Sequence, residues 1–471
     1  MKKLLSILLA VAIVFGLCAC AGSGSEGKDE TKLEGLCAGY SRIDVTPSFS
    51  VGLGGYSNAE TRRSEGVVSK IYVTCIAFSE GEETVLLYTV DNCAAGEDVL
   101  EMVQNMVSPA VNVPKENIYV GATHTHSAPS LSVGGNDVEG TKYKELFYGA
   151  CLEAAQKALA DRSTIEVYSA KHDIEGMNFV RHYIMNDGTY YSNGSDSTVS
   201  GFKSHAAETD PQMVVVKLDR LDESKQDICL INWQAHADWA STIGFNSISS
   251  SFVGFVRDEF EMQSGMLSAY FTGAGGNQNA ESLIPSEKHF LAPNEYGKKI
   301  GQEAYAALSK LEKAPSTGLK AERMVYAAEV DHSWDHMIEE AREVYDVWKK
   351  DSQEAGDALG KTYGFSSSYQ ARAIISRYDM EATRNLTIGA FNVGGIGFVS
   401  HTYEMFSTSG LQIKEKSPFD TTFIVSGNSS YIPSLENFEN YRSYEADTGF
   451  FAAGVAEKLV DAMVDMLKKV Q

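Results

Sequence analysis

Gly121-Ala122-Thr123-His124-Thr125-His126-Ser127-Ala128-Pro129 follows the apolar run Ile118 to Val120. That run reads as a buried strand. On a strand, side chains two apart point the same way. The spacing therefore predicts that His124 and His126 leave the strand end on one face, where the chain turns at Pro129. Two imidazoles placed like that suit a divalent cation, zinc above all. In α/β folds such residues converge at the C-terminal ends of strands, so the missing ligands belong after other strands.

Outward from this stretch, strand-like and helix-like segments alternate from about Gly39 onward. Ile71 to Phe78 and Thr84 to Val90 read as strands, and Asn117 to Ala122 as the strand that carries the histidines. Thr164 to Tyr168, Met213 to Leu218, Ile228 to Trp233 and Ser268 to Thr272 read as further strands. Glu97 to Met106 reads as a helix. Lys142 to Leu159 reads as an amphipathic helix with Leu146, Ala150, Leu152, Ala155 and Leu159 near one face. Glu339 to Lys350 reads as a polar surface helix, Gly389 to Val393 with Ile396 to Ser400 as a hairpin, and Phe451 to Val470 as a closing helix. The mix predicts one α/β domain, with large mixed sheets covered by helices. Gly176 to Glu208 is long and rich in turn-formers and tyrosines, and is expected to border the site.

Of 471 residues, 63 are acidic and 40 basic, a formal charge of -23. That balance argues against nucleic acid as a partner, because phosphate binding needs a basic surface. Lys2 and Lys3 precede an apolar stretch from Leu4 to Leu17, too short to span a bilayer. It ends in Leu17-Cys18-Ala19-Cys20, which resembles a bacterial lipobox. Residues 1–20 are therefore expected to be a lipoprotein signal, with lipidated Cys20 anchoring an exported protein to the cell membrane. An ordinary cleaved signal is the plainer alternative. Residues 21–35 read as a flexible linker and 36–471 as the working domain. Cys37, Cys75, Cys93, Cys151 and Cys229 remain, without Cys-x-x-Cys spacing. They fit buried free thiols better than a disulfide framework.

Four more blocks complete the set, three of them after predicted strands. Ile231-Asn232-Trp233-Gln234-Ala235-His236 ends a strand in a third histidine. Phe271 to Asn279 runs into a turn rich in glycine, where a substrate can approach the backbone. His401-Thr402-Tyr403-Glu404 offers a carboxylate, read as opening an apolar helix. Gly427 to Pro433 carries Tyr431.

In this order the blocks resemble the N-terminal catalytic domain of the neutral, non-lysosomal ceramidases. The matching stretches are Ile43-Asp44-Val45-Thr46-Pro47 with Gly54-Gly55-Tyr56, Ala122 to Ser127, Asn232 to His236, the Gly-rich turn, Glu404, and Tyr431 with Tyr444-Glu445. The resemblance covers nearly all of the mature chain. It implies that fold and one zinc ion held by His124, His236, Glu404 and Tyr431. It also implies a proton shuttle at His126 and a substrate-side arginine at Arg181. Two departures stand out. The turn lacks the serine that the family carries there, and Asn279 stands nearest that position. The sequence also stops where the family's C-terminal immunoglobulin-like domain is expected.

Each candidate has a plainer role beside the chemical one. The plainer role of Glu404 is a solvated first-turn acid, that of Tyr431 a packed aromatic, and that of Arg181 half of a surface ion pair. Asp91 either orients a ligand histidine or starts a turn. Asn277 and Asn279 either bind a substrate oxygen or stabilise their turn. His401 shapes the entry to Glu404, and His182 reads as a loop residue. The function read from the set is zinc-dependent hydrolysis of an amide (N-acyl) bond of a lipid or other small substrate at the bacterial cell surface. His126 would pass a proton to the leaving amine, and Tyr431 or Asn279 would steady the oxyanion. The alternative is a non-catalytic lipoprotein that captures a lipid or glycan on the same scaffold.

Overall fold

The computed structural model describes residues 34–56, 61–131, 137–192 and 199–471. The expected signal, Cys20 and nearly all of the expected linker lie outside the described residues. The larger sheet contains β1 (Cys37–Asp44), β2 (Tyr72–Glu80), β3 (Glu83–Val90), β4 (Ile118–Ala122), β5 (Ser163–Asp173), β6 (Gln212–Arg220), β7 (Ile228–Trp233) and β8 (Leu267–Thr272). They lie in the order β8-β7-β6-β5-β1-β2-β3-β4, with Glu312–Lys313 added against β5. The outermost pairs, β3 with β4 and β7 with β8, are parallel. The inner pairs are antiparallel, so the sheet is mixed, as expected.

Followed along this order, β4 and β8 run in opposite directions. In a flat sheet their C-terminal ends would face opposite edges. Strands twist by about 20–25° per pairing, and over the seven pairings of this order the sheet turns until its edges meet. Thr89 Oγ1 on β3 donates to Tyr270 O on β8 at 2.6 Å, and Arg42 on β1 donates to Ser268 O at 2.5 Å. Curling of this kind brings the ends of β4, β7 and β8 to one place.

A second sheet, β9 (Leu319–Glu329), β10 (Thr383–Val393), β11 (Ile396–His401) and β12 (Thr422–Ser426), is antiparallel except for β11 with β12. It packs face to face on the first. Phe391, Phe398, Phe423 and Val425 meet Phe78, Val214, Val216 and Phe271. Alternate residues Ile388, Ala390 and Val399 point the other way, under the helix Val455–Val470. Helices Glu97–Val111 and Val138–Ala160 cover one half of the larger sheet's outer face, and Ser251–Ser264 and Pro293–Ala307 the other half. The layers run helix, sheet, sheet, helix. β2, β3, β4, β7 and β8 are thus buried along nearly their whole length and read as mostly apolar runs, whereas β5 alternates.

Several expectations need correction. Within Val138–Ala160 the buried face is Tyr143, Phe147, Ala150, Cys151, Ala154, Ala155 and Ala158, whereas Leu146 is exposed. Small alanines let this helix lie close to the sheet, and that selected the face over leucine content. Ile338–Lys350 is not purely a surface helix, because Ile338, Ala341 and Val344 pack with Phe365 and Ile374. Residues 176–208 are not one loop. They carry short strands, among them Phe179–Val180, His182–Met185 and Phe202–His205. Among the described residues no helix is long and apolar enough to cross a membrane. Cys37, Cys75, Cys93, Cys151 and Cys229 are free thiols, all buried except half-buried Cys93.

Asp91, at the end of β3, neither touches a ligand histidine nor merely starts a turn. It is buried and takes both Arg257 guanidinium nitrogens at 2.9 and 2.7 Å. It also accepts from Tyr72 N at 2.9 Å and Thr123 Oγ1 at 3.2 Å. The pair ties the helix that follows β7 to the strand beside β4, next to His124.

Candidate metal centre

His124 follows the end of β4 by two residues with φ +62°. This is the left-handed region, which costs a side-chain-bearing residue about 1–3 kcal/mol. The pleat therefore stops before His124, and strand alternation does not explain its direction. Its ring still meets that of His126, with centroids 4.8 Å apart. What fixes the ring is a carbonyl: His124 Nδ1 lies 2.6 Å from Cys93 O. His236, just past β7, has Nδ1 3.1 Å from Gly275 O. A carbonyl only accepts, so both Nδ1 atoms carry the proton and both Nε2 atoms carry lone pairs.

Those two Nε2 atoms face each other at 2.8 Å. Glu404 Oε2 lies 3.4 Å from the first and 3.8 Å from the second. It is buried and has no hydrogen-bond partner among the described residues. Three buried electron-pair donors thus converge without a donor hydrogen between them. Burial opposes charge on His124, yet Glu404 and then Cys93 push its pKa well above the ordinary value. Burial, then Arg181 and the other two histidines, push His236 well below. The three groups together call for one positive charge in their midst. Two imidazoles and a carboxylate fit a divalent cation of the borderline class.

Glu404 does not open a helix. It lies on the two-residue strand Glu404–Met405, which pairs in parallel with Tyr431–Ile432, so Glu404 and Tyr431 stand directly opposite. Behind Glu404 the Gly-rich turn packs tightly: a Cβ on Gly276 would come within 2.9 Å of Met405 O. The Tyr431 hydroxyl accepts from Arg181 at 3.2 Å. Burial, then Glu404, push the Tyr431 pKa well up. Arg181 is no surface ion pair. It is buried and also donates to Gly276 O at 2.9 Å and Glu445 at 2.8 Å.

His126 is buried, with Nε2 3.3 Å from His124 Nε2. Its Nδ1 has no hydrogen-bond partner, although Asp238 Oδ1 lies 3.7 Å away. Tyr56 sets its edge against the ring at 5.3 Å and hydrogen-bonds Asp238. Gly55, at φ +99°, lets the chain pass, since a Cβ there would lie 2.8 Å from His126. Cys93 and Gly55 also line a cavity of 600 Å³ that reaches Leu131 and Phe450.

Residues 37–267 match the family described as neutral/alkaline non-lysosomal ceramidase, N-terminal. Over these residues the chain is similar to that family. Solved structures carry the likeness further along the chain. The crystal structure of neutral ceramidase from Pseudomonas aeruginosa aligns over 92% of this chain and 74% of that one, at 14% identity and TM-score 0.66. A ceramidase complexed with C2 aligns over 92% and 75%, at 15% identity and TM-score 0.66. No curated protein matches the sequence.

Within this ceramidase fold His124, His236 and Glu404 meet, with His126, Tyr431 and Arg181 around them. Asn279 bridges to His236 through the backbone, and its Oδ1 lies 3.5 Å from Arg181. Asn277 is committed to the start of the helix Ser407–Lys416, accepting from Ser407 N at 2.8 Å. Ser282, just beyond the turn, donates to Glu287 at 2.7 Å. His401 is structural: Nδ1 meets Tyr403 O at 2.9 Å, and burial pushes its pKa down to about 3. His182 is not a loop residue but a buried strand residue, 2.9 Å from Glu445. Cys93, Asp238 and Glu445 were given no chemical role from sequence. The Gly-Gly-Tyr and Tyr-Glu blocks held two clues, Tyr56 and Glu445, but nothing local marked Cys93.

Two outcomes are expected. His124→Ala, His236→Ala and Glu404→Ala should each weaken divalent-metal binding by at least about 10- to 100-fold. His401→Gln should retain it, as read by elemental analysis after dialysis. Burial opposes ionisation of Glu445, but His182 and Arg181 hold its pKa well below the ordinary 4.5. A depressed folded pKa gives stabilisation that is complete above the unfolded pKa and lost as pH falls through the folded one. Glu445→Gln should therefore cost about 3–5 kcal/mol at neutral pH. The gap from wild type should shrink in denaturation curves taken progressively below pH 4.5.

Proposed function

We propose that the protein is a zinc-dependent hydrolase of an amide (N-acyl) bond, working outside the cytoplasm on a membrane to which Cys20 anchors it. The observation that carries this reading is the convergence of His124, His236 and the unpartnered Glu404 Oε2 in a ceramidase fold. When bound, zinc supplies a Lewis acid for the carbonyl and lowers the pKa of water toward neutrality.

The residues divide the rest of the work. Tyr431 accepts from Arg181, which leaves its own proton to donate toward a developing oxyanion. Burial and Glu404 favour the protonated hydroxyl before an ion is bound. Arg181, fixed by Glu445, adds positive charge on the same side. Asn279 offers Arg181 its oxygen and keeps its amide hydrogens for substrate. His126 hands a proton to the departing amine, with Asp238 near its far nitrogen. Water and amide become carboxylic acid and amine. The acyl substrate is a lipid or another N-acylated small molecule. The serine-free turn favours the competing view, a lipid- or glycan-binding lipoprotein without turnover.

A panel of N-acyl lipids and N-acyl amino sugars decides between them. Hydrolysis should disappear with a chelator and return with zinc. His126→Ala should lower kcat by about 10²- to 10⁴-fold with metal content unchanged, and His236→Ala should lose both. Tight binding with no turnover across the panel supports the competing view instead. Cys20→Ser should release the protein from the membrane fraction, as followed by fractionation and immunoblotting; unchanged fractionation would refute the anchor.

A further inference from the structure

His124 belongs to two groups of potential ligands. One is the set with His236 and Glu404. In the other, one atom each from Cys93, His124 and His126 lie within 4.8 Å of one another. Cys93 Sγ is 3.9 Å from His124 Nδ1. His126 is 8% exposed, and its Nδ1 is buried without a hydrogen-bond partner. Nothing in the hydrolytic scheme above uses the Cys93 thiol. Cys93 is half-buried and borders the 600 Å³ cavity, so the sulfur has an open approach that Cys75, Cys151 and Cys229, each at most 1% exposed, lack.

We propose that Cys93, His126 and His124 form a second, alternative seat for a soft, thiophilic cation. The donor set decides the preference. Thiolate with imidazole favours soft ions, whereas two imidazoles with a carboxylate favour borderline and harder ones. A neutral imidazole has one lone pair, its other nitrogen carrying the proton. To meet an ion beside Cys93 Sγ through Nδ1, His124 releases Cys93 O and moves its proton to Nε2, so His124 serves one ion at a time and the two seats exclude each other. Moving into the second seat, the ion leaves Glu404 and His236 and takes up His126, which the hydrolytic scheme needs as a proton donor. Cys93 gives up its thiol proton to solvent through the cavity as the metal–sulfur bond forms. Soft cations are then inhibitors that act by displacement, with the total held at one ion per chain. The inference rests on the metal reading of His124, and zinc binding on the same preparations separates the two.

Cd²⁺ titrated into the metal-free full chain tests it. Wild type should show a thiolate-to-cadmium charge-transfer band that saturates at one equivalent. Cys93→Ser should abolish the band and weaken Cd²⁺ binding on the order of tenfold or more, with zinc affinity changed by less than about threefold. Cys93→Ala provides the same reading if the serine variant misfolds. Glu404→Gln should keep the band while weakening zinc, and Cys229→Ala should keep both. A wild-type protein without the band, or a band that survives both Cys93 variants, overturns the proposal. If zinc still binds in that case, the second seat alone is lost; if neither ion binds, the metal reading goes with it.

Discussion

Three buried electron-pair donors face one another, and they must be kept from turning away. Left alone, two imidazoles would rotate to find hydrogens, and the carboxylate would seek a guanidinium or solvent. Each escape is blocked by a specific contact. Cys93 O and Gly275 O hold the Nδ1 side of the two rings. Arg181, the nearest fixed cation, is committed to Glu445, Gly276 O and Tyr431. The orientation of the donors is therefore set by backbone carbonyls and a neighbouring ion pair, both of which exist before any cation arrives. Such preorganisation is what a ligand set needs to bind one ion in one geometry.

The same constraint explains the architecture. The donors come from the ends of β4 and β7 and from a short strand after β11, and they span residues 124 to 404. β4 and β7 run oppositely in the pairing order, so accumulated twist must close the sheet before their ends can meet. Arg257 with Asp91 and Thr89 with Tyr270 O secure that closure close to the site. The second sheet then brings Glu404 and Tyr431 in as a directly opposed pair. Donor convergence, sheet closure and sandwich packing are thus coupled, because each fixes the position of groups that the others need.

Much of this was legible in the chain. Apolar runs such as Ile228 to Trp233 announce buried strands, and His124, His126, His236 and Glu404 all follow such runs. What local pattern could not convey was long-range pairing. Glu404 precedes the helix Ser407–Lys416, so it looked like a first-turn acid. Its true conformation is dictated by Tyr431, whose strand becomes a neighbour only in the folded sandwich. Arg181 and His182 were hidden in a stretch rich in turn-formers, yet Glu445, more than 250 residues away, makes them buried. The direction of His124 was foreseen for the wrong reason. A pleat was expected where the backbone takes a left-handed turn, and the supporting bond to Cys93 O depends on a loop after β3 that no periodicity reveals. Asp91 failed as a ligand-orienting acid for a related reason: its partner, Arg257, sits on a helix that the sequence reading did not assign.

Charge closes the argument for an acyl-transfer site. Glu404 contributes one negative charge and a divalent cation two positive ones. Arg181 and Glu445 cancel as a pair, and burial and Glu404 favour the neutral form of Tyr431 before an ion is bound. Under the proposed function the loaded centre then carries a net positive charge in surroundings of low dielectric, where charge interacts strongly. A developing oxyanion is favoured there, and a departing ammonium is not. The ammonium side falls to His126, and the one carboxylate beside it, Asp238, is 37% exposed, unlike buried Glu404. His126 gives its proton to the leaving amine, and Asp238 beside its far nitrogen offers a route to solvent for replacing it without crossing the cation. Tyr431, Arg181 and Asn279 already cluster beside Glu404, and the glycine at position 276 is what lets the turn approach Glu404 so closely.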